Sequence, residues 1–248
     1  MSMHSISKNQ QKLINSLKYK KYRYKNGLFV VEGIKVIKEF LKSSYTLHSL
    51  YSVADIFSLK DDSVNIISPE DLKSISFLTT PQVALALFEI KEQSSINIKS
   101  LSLGLDGVRD PGNLGTIIRM CDWFGIKKII CSKDTVDCYN PKTVQASMGS
   151  LSRVKLYYVD LYNELKQSEF PVYGTDMQGQ SVYETDLSQN SILVLGNESH
   201  GISEEVRSVI TQNISIPQFG KRKQTESLNV AMAGSIIISE FKRRTIER

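Results

Sequence analysis

Three glycine-bearing polar segments hold most of the chemistry available to this 248-residue chain: DGVRDPGNLGTIIR (106–119), GNESHGIS (196–203) and IPQFGKRKQTESLN (216–229). In the first, Gly107, Gly112 and Gly115 let backbone approach a ligand closely. They do not spell G-x-G-x-x-G, and no Gly-Lys-Ser/Thr follows, so a dinucleotide site or phosphate loop fits poorly. A helix starting near Leu114 puts Arg119 about one and a half turns in, where helix geometry favours a surface position. In the second, Glu198 suits capping of backbone N–H groups or pairing with an arginine. His200 suits a hydrogen bond within its loop, since no Ser-His-Asp set is visible. In the third, Thr225 or Ser227 reads as the N-cap of a final helix, with the basic run KRKQ (221–224) in front. No spacing of Cys, His and carboxylates assembles a metal site.

The elements around these segments alternate strand and helix. LSLGLDGV, KKIICS, RVKLYYV, FPVYGTDM, SILVLG and NISIP read as strands, and TIIRMCDWFGI, NPKTVQASMG and SEEVRSVI as helices. Such alternation argues a mostly parallel sheet covered by helices. Ligands then bind beyond the carboxyl ends of the strands, where the three polar segments lie. Upstream, a separate α/β unit is expected: a helix over 8–20, a strand in GLFVVEG (27–33), a helix in IKVIKEFLK (34–42), and short apolar runs at 47–53 and 64–67. A helix at SPEDLKSI (68–75) and a strand in TTPQVALALFEI (79–90) complete it. Residues 1–92 thus form one domain, 93–100 a polar linker, and 101–248 a second domain.

Charge narrows the partners. The net charge of +5 is concentrated at the start: residues 1–42 carry ten Lys/Arg against two Glu, with Tyr19, Tyr22 and Tyr24 interleaved. Basic side chains with aromatics suit phosphate contact plus base stacking, so Lys18, Lys20, Lys21 and Arg23 are candidates for contact with RNA or DNA, as are Lys221, Arg222 and Lys223. No apolar run is long enough to span a bilayer, no secretory signal opens the chain, and three cysteines without C-x-x-C spacing suit a reducing compartment. A cytoplasmic protein is expected, without membrane or metal.

Taken together, LDGVRDPGNLGTIIRMCDWFGI, LVLGNESHGIS and IPQFG…ESLNVAMA, with YNPKTVQASMGSLSRV between them, resemble the SpoU (TrmH-type) RNA ribose 2′-O-methyltransferases of the SPOUT superfamily. The likeness covers residues 101–248, with the motifs in order. KNGLFVVEG and TTPQVALAL are similar to the RNA-binding domain that precedes the catalytic domain in the rRNA-modifying branch. The segment between Ile216 and Ser227 is longer than in the commonest members.

The resemblance implies a small N-terminal α/β RNA-binding domain, followed by a SPOUT domain with a deep C-terminal trefoil knot. It also implies a homodimer and S-adenosylmethionine as cofactor. By motif position Gly196, Asn197, Ile216 and Leu228 would bind the cofactor, and Asn113, Arg119, Glu198, Ser227 and Asn229 would form the catalytic and RNA-facing set. The implied reaction is in-line attack of a ribose 2′-hydroxyl on a sulfonium methyl, which is mostly a positioning problem. A guanidinium keeps its proton at neutral pH, so Arg119 is expected to clamp phosphate and stabilise developing alkoxide charge. The N-terminal domain favours rRNA over tRNA as substrate. A non-catalytic RNA-binding or assembly factor of the same fold is the alternative from another class. A nucleotide-dependent oxidoreductase lacks the glycine fingerprint.

Overall fold

The structure is a computed structural model that describes residues 5–59, 64–93, 95–98, 100–220 and 227–246. The chain forms two compact units: Met1–Gln93 with Asp137–Arg153, and Ser94–Val136 with Val154–Arg248. In chain order the first unit contributes α1 (Lys8–Ser16), α2 (Lys20–Asn26), β1 (Leu28–Glu32), α3 (Ile34–Leu41), β2 (Leu47–Ser52), β3 (Val64–Ile66), α4 (Pro69–Ile75) and β4 (Ala84–Glu89). The second begins with β5 (Ser102–Leu105), α5 (Pro111–Trp123) and β6 (Lys128–Ser132). The chain then returns to the first unit for α6 (Pro141–Ala146) and a 3-10 turn at Ser150–Ser152. The second unit finishes with β7 (Lys155–Val159), α7 (Leu161–Lys166), β8 (Val172–Ser181), β9 (Ile192–Leu195), α8 (Glu204–Arg207), β10 (Gln212–Ser215) and α9 (Val230–Arg243).

In the first unit the sheet order is β1-β4-β2-β3; β4 runs antiparallel to β1 and β2, and β3 lies parallel to β2. One side of its core is aliphatic, with Ile14, Leu17, Leu72, Ile75, Leu85 and Leu87 buried together. Elsewhere Phe29 meets Phe40, Tyr45, Phe88 and Tyr139, its ring centroid 4.5 Å from that of Tyr139. Tyr139 comes from the returning segment, and Arg153 at the far end of that segment pairs with Glu39. The helix expected over 8–20 is two helices. Arg23 Nη1 takes the carbonyls of Leu17 (2.9 Å) and Lys18 (3.0 Å), so those carbonyls leave the helical ladder and the chain breaks between α1 and α2. α2 ends at Gly27, whose φ of 65° is the left-handed stop that glycine adopts without strain.

In the second unit six strands pair in the order β10-β8-β9-β5-β6-β7, each neighbouring pair parallel. β5 and β9 are buried along their whole length, as central parallel strands must be. α5 begins three residues earlier than Leu114, because Asp110 caps it by accepting from Asn113 N (2.8 Å) and Pro111 fills the first helical position. α7, too short to show a clear period, is started by Asp160, which accepts from Asn163 N. α9 starts at Val230: its N-cap is Asn229, not Thr225 or Ser227, and Asn229 Oδ1 accepts from Ala231 N (3.0 Å) and Met232 N (3.3 Å). The small residues of α9 have a packing cause. A Cβ on Gly234 would sit 2.8 Å from Leu195 Cδ1 and 3.3 Å from Met120 Cε, so glycine lets α9 close onto β9 and α5.

Candidate active site

The loop leaving β9 is built by Asn197. Its backbone exchanges hydrogen bonds with Gly201 (2.9 and 3.0 Å), closing a tight loop. The loop folds so closely that a Cβ on Gly196 would lie 2.3 Å from the carbonyl carbon of Gly201. The Asn197 side chain donates to Gly107 O (2.6 Å) and accepts from Ser199 N (2.9 Å) and His200 N (3.1 Å). It therefore ties the β9 loop to the β5 loop. His200 Nδ1 is also 3.1 Å from Asn197 Oδ1, the within-loop role expected for it. On the β5 side, Gly107 adopts φ 70° and donates its N–H to Ser132 Oγ (2.9 Å). Asp106 Oδ2 accepts from Ser203 N (2.7 Å). Ser132 Oγ donates to Asp134 Oδ1 (2.6 Å), which, with Arg109, holds the Asp134 carboxyl below its usual range.

Three of the expected catalytic residues are joined in one hydrogen-bonded run. Asn229 Nδ2 donates to Asn113 Oδ1 (2.9 Å), and Asn113 Nδ2 donates to Glu198 Oε1 (2.9 Å). The backbone N–H groups of Arg109 and Asp110 point at the same carboxylate from 3.4 Å. The run links the N-terminus of α9, the N-terminus of α5 and the β9 loop. Asn229 and Glu198 are exposed and Asn113 is partly so, so the run is open to a ligand. Asn113 spends its amide on Glu198 and Asn229, not on Arg119. Arg119 stands outside the run on the solvent face of α5, with Thr116 and Trp123 at helical spacing beside it.

A cavity of about 1470 Å³ opens beside the run, at the carboxyl ends of β9 and β10 and along the middle of β8. Gly196, Asn197, Ile216 and Leu228, the expected cofactor residues, all line it, as do Glu198 and Ser227. Sequence reasoning overlooked two contributions. Thr175 and Met177 of β8 line the cavity, and so do Val230, Ala233 and Ile237 of α9. The signal for β8 was the same carboxyl-end rule applied to FPVYGTDM, the strand expected there. For α9 it was the spacing of 230, 233 and 237 on one helical face.

The SpoU rRNA Methylase family model matches residues 100–239, more than half of the chain. The chain belongs to this family. A second model, the MRM3-like substrate binding domain, matches residues 8–86 of this SpoU-family protein. It is 31% identical to the 23S rRNA (guanosine(2553)-2′-O)-methyltransferase RlmP of Bacillus subtilis over 95% of the chain and 97% of that relative. Among solved structures it resembles a TrmH-family protein from Porphyromonas gingivalis, with TM-score 0.89 and 41% identity over 97% of this chain and all of that one. It also resembles the AdoMet-bound rRNA methyltransferase from Sinorhizobium meliloti, with TM-score 0.87 and 27% identity over 99% of each chain.

The basic residues divide. Lys18, Lys20 and Lys21 are exposed. Arg23 is not available to RNA: it is 1% exposed, and its Nε and Nη2 both donate to Asp137 Oδ2, the former at 3.0 Å. A lone buried guanidinium would be far too costly, so its surroundings supply a carboxylate and two carbonyls. Tyr24 donates to Asp137 Oδ1 (3.1 Å), and burial, then the neighbouring Asp137 charge, push its hydroxyl pKa up. Lys221, Arg222 and Lys223 lie outside the described residues.

Proposed function

We propose that this SpoU-family chain methylates a ribose 2′-hydroxyl of ribosomal RNA, with S-adenosylmethionine as donor and Arg119, Asn113, Glu198, Ser227 and Asn229 as the reacting set. The observation that carries the reading is the Asn229–Asn113–Glu198 run at the edge of the strand-end cavity. The cavity suits the cofactor's chemistry. Leu195, Ile216, Leu228 and Ile237 give apolar walls for a nucleoside, and Glu198 gives negative charge toward a cationic ligand. Gly196 and the tight loop behind it present backbone at close range. When bound, S-adenosylmethionine supplies an electrophilic methyl group on a positively charged sulfur.

The chain's own residues then have distinct tasks. Asn113 and Asn229 each keep a second amide proton after making their mutual contacts, and these can orient the ribose. Ser227 and the start of α9 offer donors to a phosphate. Arg119 remains cationic, holds phosphate and stabilises charge developing on the attacking oxygen. A homodimer belongs to this reading. Trp123 is 85% exposed on α5 and Met232 58% exposed on α9, two helices that pack together, which supports a second copy as the partner of these helices. A cytoplasmic location and a C-terminal knot are the remaining parts of the proposal.

Mapping of ribose methylation across rRNA and tRNA from cells with and without the protein tests the reading. Loss of one rRNA site is expected. If no site disappears, the catalytic reading fails. If calorimetry also detects no S-adenosylmethionine binding, the RNA-binding assembly factor takes its place. Sedimentation of Trp123→Glu tests the interface: a dimer that persists unchanged removes this face from consideration.

A further inference from the structure

α2 is an unusual helix in what it buries. Of its seven residues only Arg23 is buried, held by Asp137 and by the carbonyls of Leu17 and Lys18. The only fully buried side chain of the helix is therefore a paired cation and not an apolar one, and its aromatic rings keep much of their surface open. Tyr19 is 62% exposed, Tyr22 40% and Tyr24 49%. Tyr19 and Tyr22 lie edge to face with centroids 6.5 Å apart. Around them stand Lys18, Lys20, Lys21 and Lys25, all exposed, with Lys20 Nζ 5.8 Å from the Tyr24 ring centroid. No acidic residue lies within residues 8–31, and Asp137, a carboxylate in contact with α2, is bonded to Arg23 and Tyr24.

We infer that this face is a stacking platform for unpaired bases of the RNA substrate. Tyr19 and Tyr22 take base faces, and Lys18, Lys20, Lys21 and Lys25 take the flanking phosphates. Exposed aromatic rings interleaved with cations fit a single strand, whose bases present free π-faces. A duplex hides those faces and would use only the lysines. The match of this segment to a substrate binding domain agrees with RNA as the occupant. The inference rests on the RNA-methyltransferase reading for the identity of the substrate, but it concerns a different unit of the protein from the cavity.

The test uses the full chain, a fluorescein-labelled single-stranded RNA and a duplex RNA of the same length. Tyr19→Ala/Tyr22→Ala should weaken single-strand binding about tenfold or more, since each stacked base contributes on that scale. Tyr19→Phe/Tyr22→Phe should restore it, duplex affinity should barely move, and the salt dependence should keep its slope. Lys20→Gln/Lys21→Gln should instead flatten that slope by roughly 0.7 per lysine. Unchanged single-strand affinity in the alanine variant overturns the platform, and so does an equal loss on single strand and duplex. Preferential binding of an acidic peptide over the single strand would also overturn it. S-adenosylmethionine affinity is measured alongside: a chain that binds RNA through the tyrosines but takes no cofactor sinks the catalytic reading and leaves the platform standing.

Discussion

Arg23–Asp137 and Asn229–Asn113–Glu198 are both polar clusters that join distant parts of the chain, and they serve opposite ends. The first is closed: both side chains are at most 3% exposed, and every contact is internal. The second is open, with Asn229 and Glu198 at the surface and spare donors and acceptors on each member. A buried pair loses heavily when one partner goes, because the other is left charged and dry. An exposed run can be rehydrated, so its loss should appear in chemistry and not in folding.

The largest effect that would break this contrast is stability at Arg23. Arg23→Ala should cost about 3–5 kcal/mol in urea unfolding. A cost below about 1 kcal/mol would mean that the pair is solvated and that Arg23 resembles its lysine neighbours after all. The next effect sharpens the open side. Asn113→Ala should lower methyl transfer by roughly a hundredfold, as loss of a positioned donor does, while shifting stability by less than about 1 kcal/mol. Loss of stability with full activity would make the run structural.

Asn229 combines both roles and should separate by substitution. Asn229→Ala removes a helix cap and should cost about 1 kcal/mol, whereas Asn229→Ser should keep most of that stability. Both variants lose the amide that reaches Asn113, so both should be slow in single-turnover transfer.

The smallest effect concerns pH. Arg243 foremost, then Arg244, hold Glu240 at a pKa of about 2 against partial burial, below its ordinary 4.5. A depressed carboxylate stabilises the fold above its unfolded value and loses that contribution as pH falls through the folded one. The stability gap between wild type and Glu240→Gln should therefore be full above about pH 4.5 and close toward pH 2. A gap that stays constant over that window would show Glu240 acting by packing alone.

Much of this arrangement was legible beforehand because local chemistry announces it. Ser68-Pro69 is a start signal that stands where a helix starts, whereas Asp110-Pro111 carries the same signal, overlooked in expecting a start near Leu114. The cavity loops could be found because glycine and polar residues follow runs buried on both faces. Arg23 was misread for a physical reason. Its carboxylate is 114 residues away, so nothing near it in sequence separates a buried cation from its solvated neighbours. The place of residues 137–153 was hidden in the same way, since it depends on Phe29, Glu39 and Tyr45 rather than on their own pattern.

That returning segment also sets an order of events during synthesis. The first unit needs Tyr139 for its aromatic core and Asp137 for its only buried cation–carboxylate pair among the described residues. A nascent chain that has emerged only as far as residue 93 therefore lacks both, and its α2 guanidinium has no acid to meet. Nascent domains ordinarily fold from the N-terminus as they emerge. Here the N-terminal unit lacks its buried ion pair and part of its aromatic core until residues 137–153 have been made.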